Sequence, residues 1–337
     1  MPASVKLGLD FFSLRFQNWT AFQLLDYAAK LGVQSAHFSE PRFLGALDEP
    51  HLDAVKTYAD RLGLELEVGF GSICSSSERF QSGGGTAEQQ LRRMFQVARR
   101  LGSPIVRCYL GTAKDREGPI PLDQHIENTI KACKAVRSEA LDLGLKIAVE
   151  NHAGDLQSRQ LRMLIEEAGP DYVGALYDSG NAAWTVEDPL HALETLAPYV
   201  VTSGIRDSAI WEAGAGAAVQ WVAMGRGNVE IAKVAERYAA LCPGRVFSLE
   251  IINTRSPRVF PYWSRDFWEH YRDVPAWVFT GFLQRARAGR PYDGVPPGPS
   301  GAAPDSAEFK RFLVEQERRD VEQAVAYCKT ELGLGEG

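Results

Sequence analysis

Four times in the first 144 residues, a stretch with helical spacing closes on Leu-Gly: Lys30-Leu31-Gly32, Arg61-Leu62-Gly63, Arg100-Leu101-Gly102 and Asp142-Leu143-Gly144. Each time an apolar run follows within a few residues. A glycine placed there takes the left-handed conformation that ends a helix, while the leucine before it packs down. Helix, stop and strand recurring in this way require a parallel sheet with helical crossovers. The strands are expected at 5–10, 34–40, 64–70, 104–110, 146–149, 173–177, 200–205 and 245–249. Helices are expected from Thr20 to Gly32, from about Leu52, from Thr86, from about Pro121, from Ser158 to Gly169, from Asp188 to Tyr199 and from an Asn228 cap to Cys242. Eight strands and seven helices in about 250 residues predict a closed (β/α)8 TIM barrel rather than an open doubly wound sheet. No G-x-G-x-x-G follows the first strand, and Gly83-Gly84-Gly85 does not match a phosphate loop.

The barrel is assigned to residues 1–255 and a C-terminal extension, aromatic-rich and then helical, to 256–337. Phe260, Tyr262, Trp263, Phe267, Trp268, Tyr271, Trp277, Phe279 and Phe282 crowd the start of that extension. They either wall a pocket or pack against the barrel, and packing is the expectation. Residues 213–227 and 291–304 are rich in small residues, Gly or Pro and read as loops, and 306–332 reads as an amphipathic charged helix.

With 43 acidic against 37 basic residues, the formal net charge is −6, which leaves no electrostatic footprint for nucleic acid. The five cysteines, Cys74, Cys108, Cys133, Cys242 and Cys328, form no C-x-x-C pair and so indicate neither a zinc knuckle nor a disulfide framework. Neither a signal peptide nor a membrane span is visible in the sequence, and a cytoplasmic location is expected.

Active sites of (β/α)8 barrels lie at the C-terminal ends of the strands. The polar residues at those tips are His37 and Glu40, Arg107, Glu150 and His152, Asp178 and Asn181, Arg206 and Asp207, and Glu250. Carboxylates at the tips of the fifth, sixth and eighth strands converge on one mouth. Three oxygen donors suit Mg²⁺, Mn²⁺ or a similar divalent ion. Glu150 and His152, two apart, are expected to point to the same side of an extended chain. Arg107 has two expected uses, binding a substrate hydroxyl or phosphate and pairing with a barrel acid. Arg206 and Asp207 are expected to pair with each other or with Glu212. Trp211, Gln220 and Trp221 lie in the loop after the seventh strand, where they either cover a sugar face or pack.

Val-Glu-Asn-His at 149–152, Tyr-Asp-Ser-Gly-Asn at 177–181, Ile-Arg-Asp at 205–207 and Ser-Leu-Glu-Ile at 248–251 resemble, in order and spacing, the sugar phosphate isomerase/epimerase superfamily with a xylose-isomerase-like barrel. The resemblance implies one divalent metal ion (Mn, Mg, Co or Zn) held by two glutamates, an aspartate and a histidine, with Glu150, Asp178 and Glu250 in the carboxylate positions. The histidine position falls on Gly204, which offers no ligand, and His152 and His37 are the candidates to replace it. The implied chemistry is proton abstraction beside a sugar or keto-sugar carbonyl through an enediolate, with Glu150 and Glu250 as catalytic groups on opposite faces. Arg107, His152, Asn181, Arg206 and Trp221 are the expected substrate contacts. The alternatives within the superfamily are a lyase, a dehydratase or a keto-glycoside-cleaving enzyme; outside catalysis, a sugar-binding barrel with a lapsed metal site. The expected partners are a small sugar-like substrate and either a second copy or a small partner subunit.

Overall fold

The computed structural model describes residues 5–294, 298, 303 and 306–335, so most of the expected 291–304 loop lies outside the described residues. Seven strands follow one another as β1 (Leu7–Asp10), β2 (Ser35–Phe38), β3 (Glu65–Ser72), β4 (Ile105–Tyr109), β5 (Lys146–Glu150), β6 (Val173–Asp178) and β7 (Val200–Gly204). A hairpin of β8 (Asp207–Ala213) and β9 (Gly216–Val222) comes next, then β10 (Phe247–Leu249) and β11 (Arg258–Phe260). β1–β7 and β10 make one eight-stranded sheet in the order β10-β1-β2-β3-β4-β5-β6-β7. Every pairing in it is parallel. A parallel bridge between Ile205 and Leu249 closes the ring, with Ile205 N donating to Ser248 O at 2.7 Å and Glu250 N to Ile205 O at 3.1 Å. The molecule is the expected TIM barrel.

The Leu-Gly stops act as their chemistry requires. Gly32, Gly63 and Gly102 end their helices at φ 66°, 70° and 68°, and Gly144 follows the last of the four at φ 65°. Thr20 and Thr86 each cap a helix through a reciprocal box, with Gln23 and Gln89. The single helix expected from Pro121 is instead two, Leu122–Lys134 and Arg137–Asp142. Val136, fully buried, leaves helical geometry between them at φ −119° as it drops into the core.

Two other expectations change. The 213–227 loop contains most of the β8–β9 hairpin, which β11 joins as a third antiparallel strand. Ile210, Ala217 and Val219 pack on one side and Ala209, Trp211, Ala218 and Val222 on the other. A strand covered on both faces has no polar–apolar alternation to reveal it. Asn228 does not cap a helix: the helix Ile231–Leu241 starts three residues later, and the Asn228 amide bonds both backbone groups of Ile210, at 2.8 and 2.9 Å. The helix Ala307–Thr330 places Val321, Ala324, Val325 and Cys328 in the same core as the barrel. Its Lys329 Nζ donates to Leu31 O at 2.8 Å, and Phe16 N donates to Glu317 at 3.0 Å.

The aromatic segment packs, as expected. Phe260, Tyr262, Phe267, Tyr271 and Phe282 form a second core with the hairpin, against the helix Ala276–Ala288. Only Trp263 and Trp277 of that segment stand 65% exposed. No described helix is long and apolar enough to cross a membrane.

Candidate active site

β5 ends on Glu150, β6 ends on Asp178, and Glu250 follows β10 directly. The three carboxylates are 1%, 0% and 6% exposed and bring ligand atoms within 4.8 Å of one another. Of the three, Glu250 lines a cavity of about 330 Å³ at the barrel mouth, while Glu150 and Asp178 do not reach its wall.

Two buried arginines hold these acids. Arg107, on β4 beside β5, grips Glu150 through Nε (2.7 Å) and Nη2, and its Nη1 donates to Phe70 O at 3.0 Å. The other Glu150 oxygen accepts from Asn181 Nδ2 at 2.9 Å. Arg206, just past the end of β7, places one nitrogen, Nη2, between Asp178 Oδ2 and Glu250 Oε2. Asp178 Oδ1 accepts from the Asn181 N–H at 2.8 Å. Asn151 reaches across from the tip of β5 and pairs with the Asp178 backbone on both sides, at 2.8 and 2.9 Å. Both oxygens of Glu150 and of Asp178 are therefore spent. Glu250 Oε1 has no partner among the described residues and is not sealed from the cavity.

The Arg206 side chain is steered into place. The Ser179 hydroxyl donates to Arg206 O (2.7 Å) and accepts from Arg206 N (3.0 Å). The guanidinium carbon lies 4.3 Å from the centroid of Trp221, and Trp221 stacks on Trp184 at 4.4 Å. Gly180 leaves the path open: a Cβ there would come within 2.1 Å of Arg206 Cγ and 2.8 Å of Trp221 Nε1. Arg206 Nε, Trp221 Nε1, Trp184 Nε1 and Asn181 Oδ1 are buried without a partner among the described residues, and all four residues line the cavity. Burial disfavours the Arg107 cation, yet the facing Glu150 and Glu250 carboxylates outweigh this and raise its pKa. Burial and the neighbouring acids Glu150 and Glu250 push the Asp178 carboxyl up, against the pull of Arg206.

The histidines do not join the acids. His152 leaves the strand after Glu150, turns its Nδ1 to Gly111 O at 2.6 Å and stacks on Tyr109 at 3.9 Å. It lines the cavity, but the cluster of ligand atoms comprises only Glu150, Asp178 and Glu250. His37 sits 3.5 Å from Asp10 on the neighbouring strand, outside that cluster. Burial and Arg107 push both rings down to about 3, so both are neutral near pH 7. Arg206 and Asp207 do not pair. Asp207 instead accepts the backbone N–H groups of Ser208, Gly225 and Gly227, and Glu212 faces Arg287 at 3.8 Å. Of the remaining expected contacts, Arg107, Asn181 and Trp221 line the cavity; Trp211 belongs to the hairpin's own packing. Asp10, Trp184, Arg255 and Arg258 were not anticipated. Asp10 ends β1 and was reachable by the same strand-tip rule; Trp184 follows the short helix Ser179–Ala183, Arg258 opens β11 and Arg255 lies in the loop before it, places that no local pattern ties to the mouth.

The divalent ion implied by the resemblance does not fit these residues as they stand. The three carboxylates are near enough to share an ion, but each already accepts from a guanidinium. The Arg206 guanidinium already stands between two of these acids, and a doubly charged ion placed beside it meets like charge at contact. Position 204 faces the acids, since a Cβ there would lie 3.3 Å from Asp178 Oδ2 and 3.5 Å from Glu250 Oε2, but glycine brings no donor.

Comparison with known proteins agrees with the architecture. The family model for the xylose isomerase-like TIM barrel matches residues 25–268. A curated relative, the uncharacterized protein YihM of Escherichia coli (strain K12), is 27% identical over 202 residues, 59% of this chain and 56% of that one, so the match spans little more than half of the relative. Among solved structures, a D-psicose 3-epimerase in the presence of D-fructose superposes with a TM-score of 0.61 at 12% identity, covering 97% of this chain and 99% of its own. The 3-keto-D-glucoside 4-epimerase YcjR of E. coli superposes with a TM-score of 0.57 at 15% identity, covering 82% and 99%. At such identities the structural likeness speaks for the fold alone. With a family model covering most of the barrel and every strand in its place, the chain belongs to the xylose isomerase-like TIM barrel family.

Proposed function

We propose that this protein is an isomerase- or lyase-type enzyme that abstracts the proton next to the carbonyl of a sugar or keto-sugar, with Glu250 as the base. One observation carries the reading: of the six oxygens in the acid cluster, only Glu250 Oε1 has no partner among the described residues and is open to the cavity. A general base must offer an unengaged lone pair within reach of the proton it takes. The cavity wall suits an oxygen-rich ligand. Arg79, Arg107, Arg206, Arg255, Arg258 and Lys114 outnumber Glu40, Glu78 and Glu250 on it, which favours the negative charge of an enediolate. Arg206 Nη1, like Glu250 Oε1, has no partner among the described residues and is not sealed from the cavity, so the wall offers a polyol a charged donor beside an acceptor. The stacked Trp184 and Trp221 give a flat apolar face against which a sugar ring rests.

The two-base arrangement, with Glu150 opposite Glu250, is not part of this reading, because both oxygens of Glu150 are committed. One free base favours chemistry on a single face, either a 1,2-proton shift or elimination of a group β to the carbonyl. Both begin with loss of the same proton. Incubation in D₂O with a panel of ketoses and 3-keto-glycosides tests the proposal. Deuterium should enter the carbon beside the carbonyl of one member, and Glu250→Gln should abolish the exchange. Exchange that persists at the wild-type rate in Glu250→Gln would sink the assignment of the base, and release of a leaving group alongside exchange identifies elimination.

A further inference from the structure

We infer that the guanidinium of Arg206 is this protein's resident cation, standing where its relatives' fold implies a divalent ion, and that the site works without a metal. The inference rests on the enolising reading above for its chemical consequence, but its structural core is independent of it. Three features of different origin agree. Arg206 Nη2 bridges Asp178 Oδ2 and Glu250 Oε2, the two carboxylates that face position 204. Position 204 carries glycine, where a Cβ would meet those same two oxygens at 3.3 and 3.5 Å. A histidine grown from that Cβ would meet acids that Arg206 already holds. Position 180 also carries glycine, and any larger residue would occupy the volume of the Arg206 Cγ and Cδ, at 2.1 and 2.4 Å. One site thus lacks an ion's fourth donor, supplies a fixed organic cation on the remaining donors, and keeps clear the channel that cation needs.

The substitution is chemically coherent. A planar, permanently charged guanidinium with several N–H donors can hold two carboxylates through one nitrogen and still present others to a ligand. Arg206 Nη1 is unpartnered among the described residues and not sealed, and the residue lines the cavity. At 2% exposure, stacked on Trp221 and fixed at its backbone by Ser179, the side chain is held in advance of the reaction. A pre-oriented cation of this kind stabilises an enediolate oxygen by charge and hydrogen bonding, without a Lewis acid. Arg107 stands beside it on the same wall, its charge spent on Glu150.

The test reads metal binding and melting first and activity second. Wild-type protein, analysed for metal after purification, should hold far less than one equivalent of any divalent ion. Its Tm should be unmoved by EDTA and by added Mn²⁺. Arg206→Met leaves the three acids uncompensated, and Arg206→Met combined with Gly204→His also restores the missing donor. The double variant should show a saturable rise in Tm with Mn²⁺, reversed by EDTA. A stoichiometric ion in the wild type, or a wild-type Tm that follows Mn²⁺ and EDTA, overturns the inference whether or not either variant folds. A folded double variant indifferent to Mn²⁺ overturns it as well, because the acids would then not be an ion site with its ion replaced. For any substrate that exchanges deuterium, the rate should be the same within twofold in EDTA. Exchange that requires added metal overturns the inference and leaves the enolising reading standing. No exchange with any substrate, together with the expected metal results, overturns the enolising reading and leaves the resident cation standing.

Discussion

Glu150 and Glu67 are both buried glutamates inside one barrel, separated mainly by depth. Glu150 ends β5 at the mouth and meets two nitrogens of Arg107 and the amide of Asn181. Glu67, low on β3, reaches across the interior to a neutral partner, the Thr202 hydroxyl on β7, at 2.6 Å. Burial pushes the Glu67 carboxyl up to about 7. The same side chain thus faces a guanidinium at the mouth and only a hydroxyl in the interior, where desolvation without a charged partner pushes it up. Glu250 stands between these extremes, with one oxygen on Arg206 and the other open. The barrel sets guanidinium groups against its mouth acids, and it leaves one of those acids half-paired at the cavity.

The sharpest way to break this comparison is at the half-paired acid. Glu250→Gln keeps the shape and a bond acceptor for Arg206 but removes the base. It should lower the proton-exchange rate by about 10²–10⁴-fold, the usual worth of a positioned general base. Its urea midpoint should stay near that of the wild type, which separates loss of chemistry from loss of fold. At the fully paired acid, Arg107→Leu strands Glu150 as an anion with only Asn181 beside it. Removing one partner of a buried pair costs about 3–5 kcal/mol, visible as a fall in the urea midpoint at constant m. Adding Glu150→Gln to Arg107→Leu should recover part of that loss, because the stranded charge is gone. If the two changes simply add, the pair is not coupled and the account of the mouth fails.

At the unpaired acid, the sign follows from linkage. The folded-state pKa of Glu67 is raised, so between its ordinary value of 4.5 and about 7 the native state binds more protons than the unfolded one. Its contribution is full below 4.5, falls as pH rises through that window and is flat above about 7. The whole swing is about 3 kcal/mol. Other buried acids, Asp207 at about 6 and Glu317 at about 7, slope the same way, so the difference between wild type and Glu67→Gln isolates this group. That difference should grow from pH 5 to pH 7 in favour of the variant. A constant difference would mean that Glu67 is ionised in the fold across the whole range.

The acids and arginines of the mouth were legible because a (β/α)8 barrel fixes where strand ends point. Once the Leu-Gly stops set the register of helices and strands, Arg107, Glu150, Asp178, Arg206 and Glu250 fell at the tips, and the structure brings them together. The pairing scheme was not legible. Arg206 was expected to face Asp207 or Glu212, its neighbours in sequence, whereas its partners lie 28 and 44 residues away across the ring. His152 was expected beside Glu150 by strand alternation, but the strand stops at Glu150 and the ring turns to Gly111. The β8–β9 hairpin stayed hidden because burial on both faces removes alternation; the helix at 306–332 was legible, but the surface it lies on was not, because some 55 residues of chain part it from Glu250. Tertiary burial, absent from any local window, decided each of these.

The least conspicuous residue of the site makes a testable demand of its own. Gly180 has no special backbone angle that requires glycine. Its only evident demand is space, since a Cβ would collide with Arg206 Cγ and Cδ and crowd Trp221. Gly180→Ala should cost about 1–3 kcal/mol, the usual range for overpacking a full interior. Part of that cost is offset by the better intrinsic helix propensity of alanine within the short helix Ser179–Ala183. The consequence for function is larger than for stability. To admit one methyl group, Arg206 must withdraw from between Asp178 and Glu250, which exposes both acids to each other. Proton exchange should therefore fall further than the melting shift implies. If Arg206 is the resident cation, Gly180→Ala should also gain a sensitivity to Mn²⁺ that the wild type lacks. A variant with wild-type exchange and no metal response would mean that the arginine tolerates displacement, and that the mouth of the barrel differs from its interior in charge but not in function.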